Sequence, residues 1–578
     1  MTRRAIFTTL ILGVAAGGLA FRLPQLSLRP MHGDEAVQAS KTGILFDTGR
    51  FEFNPREYHG PALHYAALPI LWLSGARSFA ETTEVAYRLV PVVFGVGLIL
   101  LLLLVGDGLG WSAALCAGIL TAISPAMVFY SRYYIHEMLL VFFTFAAIAA
   151  GWRYAWSRKV GWAILVGACL GLMHATKETC ALAYAAMGLA LLGKLTWRWW
   201  WGYPIDLPAV IRWRDIGLAA LAAVAVSFIL FSSFFTHGRG PLDSLLAFVE
   251  YVKRSGGDGF HEHPWDYYLK MLLYTQFRRG PWWSEALIMA LALVGFVAVM
   301  VRWRVPEARR PLTLLIALGA LLVAIGFAAF APWPWWSSPW VIAWLLLGTV
   351  ALALSGDAPE SNTPLARFLA FYTLFLTALY AVVPYKTPWC LLGFLHGMIL
   401  LAGVGTVVLL RNVPTHLLKV VAGIMLALVA YQLAGQAYRA SYKFPSDDRN
   451  PYVYAHPVPD LLNIAQRAEQ IAALHPEGHR MVIRVITPDW DCWPLPWYLR
   501  RFPNARYSVQ PPDRPDAPMI IASPLVRAEL EANLGGERKA NEGYFTETRG
   551  FRPSIRLLVY IRRDLWGAFV RHLEDQRK

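Results

Sequence analysis

Two adjacent carboxylates, Asp34 and Glu35 in "RPMHGDEAVQAS" (29–40), stand where the chain leaves its first bilayer-length apolar run. Neighbours on a helix point about 100° apart, so the two acids do different jobs. One faces reacting atoms, and the other holds a metal or orients a neighbour. A pair of this kind also starts and caps helices. Six more clusters follow: "NPREYHGP" (54–61), "YSRYYIHE" (130–137), "ATKET" (175–179), "THGRGP" (236–241), "GFHEHPWDYY" (259–268) and "PYKTPW" (384–389). Their acids, Glu57, Glu137 and Glu178, suit proton abstraction or a hard metal ion, as do Asp34 and Glu35. Their cations, Arg56, Arg132, Lys177 and Lys386, suit a phosphate or pyrophosphate. His59, His261 and His263 add imidazoles. The spacing of two puts His261 and His263 on one side of an extended segment, which allows a divalent metal site completed by Glu57 or Asp34. Each cluster has a plainer alternative. Lys177–Glu178 reads also as an exposed loop pair and the paired histidines as loop residues. Tyr385 and Lys386 read also as an interfacial anchor with a snorkelling lysine.

These residues are carried by a chain of 578 residues, 56% hydrophobic. Repeated apolar runs of about 20 residues mark a polytopic membrane protein. They lie at 5–20, 86–106, 111–130, 138–152, 160–176, 180–193, 216–235, 284–301, 311–331, 338–355, 367–384, 389–410 and 418–437, about thirteen spans. A shorter run at 61–75, with two prolines and a histidine, reads as a helix lying against the membrane or re-entering it. The formal net charge is +15, but its basic residues sit in short loops between apolar runs, where the positive-inside rule puts them. Nucleic acid is therefore not an expected partner. With Arg3 and Arg4 holding the N-terminus in the cytoplasm, "RYAWSRK" (153–159), 194–214, "RWRVPEARR" (302–310) and "RNVPTHLLK" (411–419) are inner loops. The acidic loop near 356–366 gives that assignment no support. All seven polar clusters then fall on the outer side. Ionisable groups at a membrane boundary are costly unless they face a cavity or partners, so the clusters imply one polar cavity opening outward.

The transmembrane part is expected to end near 437, leaving 438–578 outside as a small α/β domain. In it "DLLNIAQRAEQIAALH" (460–475) and "LVRAELEANL" (525–534) have helical patterning; "MVIRVITP" (481–488), "APMIIASP" (517–524) and "SIRLLVYIRR" (554–563) read as strands. It carries no Gly-rich phosphate loop and no nucleophile elbow, so it is expected to bind or brace. Four of the five cysteines lie in or beside apolar spans. Cys492 alone is in the tail, which excludes a disulfide within it.

An acidic pair in the first outer loop of such a chain resembles the GT-C glycosyltransferases, among them the protein O-mannosyltransferases and the aminoarabinose transferases of lipid A. The chain is most similar to a prokaryotic branch labelled flippase-activity-associated proteins. "HGDEAVQASKTGILFDTGRFEFNPREYHGP", "SPAMVFYSRYYIHEMLLVFF", "GLMHATKET", "HPWDYY", "PYKTPW" and "NPYVYAHPVPDLL" carry that resemblance, from about residue 30 to 462. It implies a multi-pass enzyme of the cytoplasmic membrane that moves a sugar from a polyprenyl-phosphate donor to a hydroxyl of a protein, glycolipid or polysaccharide. Asp34 would be the base or metal-site acid, with Glu35 beside it. Glu137 would be the second acid, where many relatives carry Asp. Arg132, Lys177 and Lys386 are assigned to the donor phosphate, and Glu57, His59, Glu178 and Tyr385 to substrate. "EYHGP" stands where aminoarabinose transferases carry a Glu-Lys-Pro segment, without the lysine, and leaves open whether His59 replaces it. Two rivals stay open. A flippase or transporter predicts polar groups through the membrane depth and an inverted repeat, neither of which the sequence has. A non-catalytic scaffold of an envelope-glycan complex has little use for a cavity containing both acids and cations.

Overall fold

The computed structural model describes residues 2–57, 59–203, 212–254, 261–301, 364–413 and 415–576, with Ile316, Ala320, Leu347, Gly348 and Ala351 as isolated positions between. Its larger part is helical: α1 (Arg3–Arg22), α2 (Gly33–Thr48), α3 (Ala62–Leu73), α4 (Glu84–Leu101), α5 (Trp111–Ile123), α6 (Pro125–Tyr130), α7 (Glu137–Ser157), α8 (Val160–His174), α9 (Cys180–Trp200), α10 (Trp213–Phe231), α11 (Gly240–Arg254), α12 (Ala286–Met300), α13 (Pro364–Val382), α14 (Leu392–Asn412) and α15 (His416–Tyr438). Among the described residues eight helices are long and apolar enough to cross a membrane, and α3, α5, α8 and α12 are shorter apolar helices. The expected spans at 311–331 and 338–355 lie outside the described residues. The run at 111–130 does not form one helix. The Ser124 hydroxyl caps a new one, with Pro125 at its first position, where a proline costs no hydrogen bond.

The bundle is held by close backbone approach. A Cβ added to Gly295 would lie 2.1 Å from the Leu401 carbonyl oxygen, and one on Gly405 1.9 Å from that of Leu291. Only glycine lets α12 and α14 touch so closely, the small-residue packing that membrane helices use. Elsewhere α9 runs along α13, α8 along both α7 and α10, and α5 against α1 and α14.

Residues beyond α15 build a five-stranded sheet from β1 (Ile483–Ile486), β2 (Ala505–Ser508), β3 (Met519–Ala522), β4 (Tyr544–Arg552) and β5 (Ile555–Arg562), ordered β2-β1-β3-β5-β4. β2, β1 and β3 are parallel, while β5 and β4 are antiparallel. β3 is buried at every position, as a strand covered on both faces must be. The helices Leu461–Ala472 and Arg563–Gln576 cover one face, with Ile464, Ile471 and Phe569 packed on Ile483 and Val559. The helix Arg527–Asn533 covers the other face through Leu530. This sheet region meets the bundle at the first polar loop: the Met31 amide donates to Tyr498 Oη at 2.8 Å, and Tyr498 Oη donates to Glu84 at 2.6 Å.

Candidate functional site

Helix α2 begins at the acid pair. His32 caps it: Nδ1 accepts the Asp34 amide at 3.0 Å, while the Glu35 carboxylate takes the His32 amide at 3.0 Å. With Nδ1 accepting, the ring proton is on Nε2, which donates to the Tyr454 carbonyl at 2.8 Å. Burial pushes the His32 pKa down, which favours this neutral tautomer. The two carboxylates then part. The Glu35 side chain is 0% exposed and lies between two guanidinium groups, Arg29 at 2.7 Å and Arg88 at 2.9 Å. It also accepts the Tyr134 amide at 2.9 Å. Burial alone would raise the pKa of Glu35, but the two arginines and the amide donors outweigh it and hold the acid ionised. Asp34 has 54% of its side chain exposed; His32 Nδ1 is 3.9 Å from its carboxylate.

Asp34 lines a cavity of about 230 Å³ together with Gln38, Glu57, His59, His136, Glu137, Lys177, Tyr251, Tyr385 and Trp389. Glu137, at the first turn of α7, is ion-paired with Lys177 from the α8–α9 turn, and both are buried. That pairing raises the Lys177 pKa against the effect of burial, so its ammonium is permanent. His59 is fixed by Glu178, whose carboxylate takes the His59 amide at 2.7 Å and faces its Nδ1 at 3.0 Å. Burial pushes Glu178 up, but the His59 imidazole and these hydrogen bonds bring its pKa to about 2. His59 sits at φ 66°, a left-handed conformation that costs a non-glycine residue roughly 1–2 kcal/mol; the double grip of Glu178 maintains it. Gly60 follows because its backbone lies against another: a Cβ there would be 2.1 Å from the Ala175 carbonyl oxygen. The Gly60 amide donates to Thr176 O at 3.0 Å. This contact seats the 54–61 segment against the α8–α9 turn, so two distant polar clusters share one wall. Glu57 closes the rim, ion-paired with Lys41 at 2.8 Å.

A narrow cleft leaves the same walls. Glu137, Thr179, Trp389 and Cys390 belong to both, and the cleft continues between Leu140 and Val141 of α7, Ala183 of α9, Leu376 and Tyr380 of α13 and Leu392 at the start of α14. The cleft is tight, about 20 Å³, so an apolar chain can enter along it only if these helices part; the charged groups stand at its mouth.

Other expected site residues stand elsewhere. Arg132 is buried away from the cavity. Its guanidinium donates to the carbonyls of Arg22 (2.9 Å), Pro24 (2.8 Å) and Gln25 (2.9 Å) and to Tyr442 Oη (2.6 Å). It staples the exit of α1 instead of facing an anion. Lys386 Nζ donates to the carbonyls of Val383 and His263 and does not line the cavity, although the adjacent Tyr385 does. The metal donors do not assemble either. His261 Nδ1 is 2.5 Å from Tyr454 Oη, His263 stacks on Tyr267 with ring centroids 4.1 Å apart, and Glu57 is taken by Lys41. Among the described residues no three His, Cys, Asp or Glu side chains gather as metal ligands do. The donor set therefore does not fit a metal centre.

Some residues in or beside the cavity are not singled out by the sequence. His136 is a neighbour of Glu137, but only its bond to the Gly60 carbonyl (3.1 Å) brings it to the wall. Gln38 stands one helical turn from Asp34, and its Oε1 has no hydrogen-bond partner in the protein. That i, i+4 spacing was the available clue. Lys41 and Tyr251 required the fold.

Comparison with known proteins agrees with this architecture. Residues 65–240, less than half of the chain, match the family model described as dolichyl-phosphate-mannose-protein mannosyltransferase. No curated protein matches the chain significantly. Among solved structures, ArnT from Cupriavidus metallidurans bound to undecaprenyl phosphate is similar at TM-score 0.57 and 16% identity, over 96% of this chain and 98% of that one. Its apo state is similar at TM-score 0.55 and 15% identity, over 98% and 99%. The apo oligosaccharyltransferase of Archaeoglobus fulgidus follows at TM-score 0.46 and 12% identity, over 94% of this chain and 74% of that one. The chain has the GT-C fold of membrane glycosyltransferases, a helical membrane bundle with a small C-terminal sheet region.

Proposed function

We propose that the protein is a membrane glycosyltransferase that moves a sugar from a polyprenyl-phosphate donor to an acceptor hydroxyl at the outer face, with Asp34 as general base. The observation that carries this reading is the joining of a charged cavity holding Asp34, Glu137, Lys177 and His59 to an apolar cleft between α7, α9, α13 and α14. The family match and the undecaprenyl-phosphate complex of the similar ArnT support the donor class.

The donor phosphate lies against the Lys177 ammonium, whose charge Glu137 secures, and within reach of His59. Its prenyl chain takes the line of the cleft, which at about 20 Å³ must widen to admit it. The acceptor oxygen attacks the anomeric carbon and gives its proton to Asp34 as the new carbon–oxygen bond forms. The bond from that carbon to the phosphate oxygen breaks, and the phosphate leaves with the electron pair. Lys177 stabilises the charge that develops there. Partial exposure keeps Asp34 beside the acceptor's entry route, while the buried Glu35 holds the start of α2, and so Asp34, in place. No step is assigned to a metal.

The purified protein is to be given a panel of prenyl-phosphate sugars, with free prenyl phosphate detected by mass spectrometry. Acceptor-dependent release from at least one donor is expected. Donor that binds but is never cleaved, with every acceptor class present, contradicts the reading and favours a carrier or scaffold.

A further inference from the structure

The sheet region has an edge that the donor cavity does not use. β1, β2 and β3 are parallel and end level, Ile486 pairing with Ser508 on one side and with Ala522 on the other. Beyond that line the chain leaves in opposite directions. The connection after β1 packs Leu495 and Leu499 on the face of Ile483, whereas the one after β3 packs Val526 and Leu530 on the opposite face. Adjacent parallel strands whose connections part in this way leave a crevice at their carboxyl ends, where open α/β sheets hold ligands.

The side chains delivered to this edge are an aromatic ring, an acid and an amide. Asp489 and Trp490, just after β1, both stand in the left-handed region, at φ 55° and 58°, which is rare for a side chain as bulky as tryptophan. The Cys492 amide donates to the Trp490 carbonyl at 2.7 Å and keeps the segment in that shape. Trp490 is 60% exposed and Asp489 is exposed beside it. Gln510 is exposed just beyond β2, and Leu525, 84% exposed, just beyond β3. The guanidinium of Arg552 pairs with Asp491 at 2.6 Å and donates to the Trp493 carbonyl at 2.8 Å. It is spent on holding the segment and is not offered to an anion.

We infer that this edge binds a saccharide stacked on Trp490, and that the saccharide is the acceptor of the transfer, a role that rests on the transferase reading above. The indole face is apolar and slightly negative, and it suits the C–H face of a sugar ring. Around the ring, the Asp489 carboxylate accepts from hydroxyls, while the Gln510 amide both donates and accepts. A phosphate would instead need a free cation. The same segment continues to the donor site. Trp493 Cβ lies 3.7 Å from the Cβ that Gly33 would carry, and Asp34 is the next residue. Three residues of chain span at most about 11 Å, so an oligosaccharide held at Trp490 extends toward Asp34.

The full-length protein, in a detergent without a sugar head, is to be given oligosaccharides of glucose, galactose, mannose and N-acetylglucosamine with no donor present. Binding is read by saturation-transfer difference NMR. At least one oligosaccharide is expected to bind wild type, with saturation strongest on the C–H protons of one ring face. Trp490→Ala is expected to weaken that binding about 3–10-fold and Trp490→Tyr to retain it, both with wild-type unfolding because the side chain is exposed. With donor present, Trp490→Ala is expected to raise the acceptor KM by a similar factor while kcat and donor affinity hold. Failure of every oligosaccharide to bind wild type overturns the proposal, as does undiminished binding in Trp490→Ala. An unchanged acceptor KM in Trp490→Ala overturns the acceptor role. Where binding follows Trp490 but donor is never cleaved, the saccharide site stands, and the transferase reading falls together with the acceptor role.

Discussion

The chain contains two knots of opposite charges built from the same kinds of residue, and only one of them faces a cavity. Both carboxylate oxygens of Glu35 are fully used. Two guanidinium groups and two backbone amides surround one carboxylate, and the nearby Arg132 donates to three carbonyls. Around Asp34 and Lys177, the hydrogen-bonding capacity is only partly consumed: Asp34 has a distant imidazole and Lys177 one carboxylate. Charge alone therefore does not distinguish structure from chemistry. Under the proposed function, open hydrogen-bonding capacity beside a cavity does.

The largest expected effect breaks the closed knot. Glu35→Ala leaves Arg29 and Arg88 buried without their counter-charge, a loss of about 3–5 kcal/mol. Thermal unfolding followed by size-exclusion should show a protein that no longer remains folded and monodisperse; retention of wild-type stability contradicts the role given to Glu35. Asp34→Asn is the opposite case. It should keep wild-type unfolding and donor affinity but slow transfer by about 10²–10⁴-fold, measured as single-turnover release of prenyl phosphate.

The His59–Glu178 pair sharpens the comparison through pH. Glu178 has its pKa lowered from the carboxylate value of 4.5 to about 2 in the folded chain. Its contribution is present in full above pH 4.5 and is lost as the pH falls toward 2, about 3 kcal/mol at most. Melting temperature should fall across that window in wild type and fall less in Glu178→Gln; equal slopes would remove the pair from the account. The smallest effect separates two lysines. Lys177→Met should weaken donor binding by about 10–100-fold, measured by ligand-dependent stabilisation. Lys386→Met should leave donor affinity unchanged, because its ammonium is spent on backbone carbonyls.

The sequence made the membrane class, most described spans, the three long-patterned strands and the gathering of polar clusters legible, because hydropathy and composition act over many residues. β2 and β4 escaped it. "ARYS" is too short to show alternation, and β4 alternates with charged residues on its open face. Within the site, Asp34, Glu57, His59, Glu137, Lys177 and Tyr385 line the cavity as residue type and order led one to expect. Arg132 and Lys386 carry the same charge as Lys177 but point into carbonyl cages. Nothing local in "YSRYY" or "PYKTP" marks that difference, since the carbonyls come from α1's exit and from the 261–263 segment. Glu35 is the clearest case: its neighbour in sequence faces the cavity, and the rotation of about 100° between adjacent helical residues decides which acid does so.

The central claim is that Asp34 removes the acceptor proton while the donor is held by other groups. The direct test is a single-turnover assay of wild type and Asp34→Asn, both saturated with a cleavable prenyl-phosphate sugar and supplied with acceptor. The account predicts equal donor occupancy in the two proteins and prenyl phosphate released only by wild type on that time scale. Release by Asp34→Asn at the wild-type rate would contradict it.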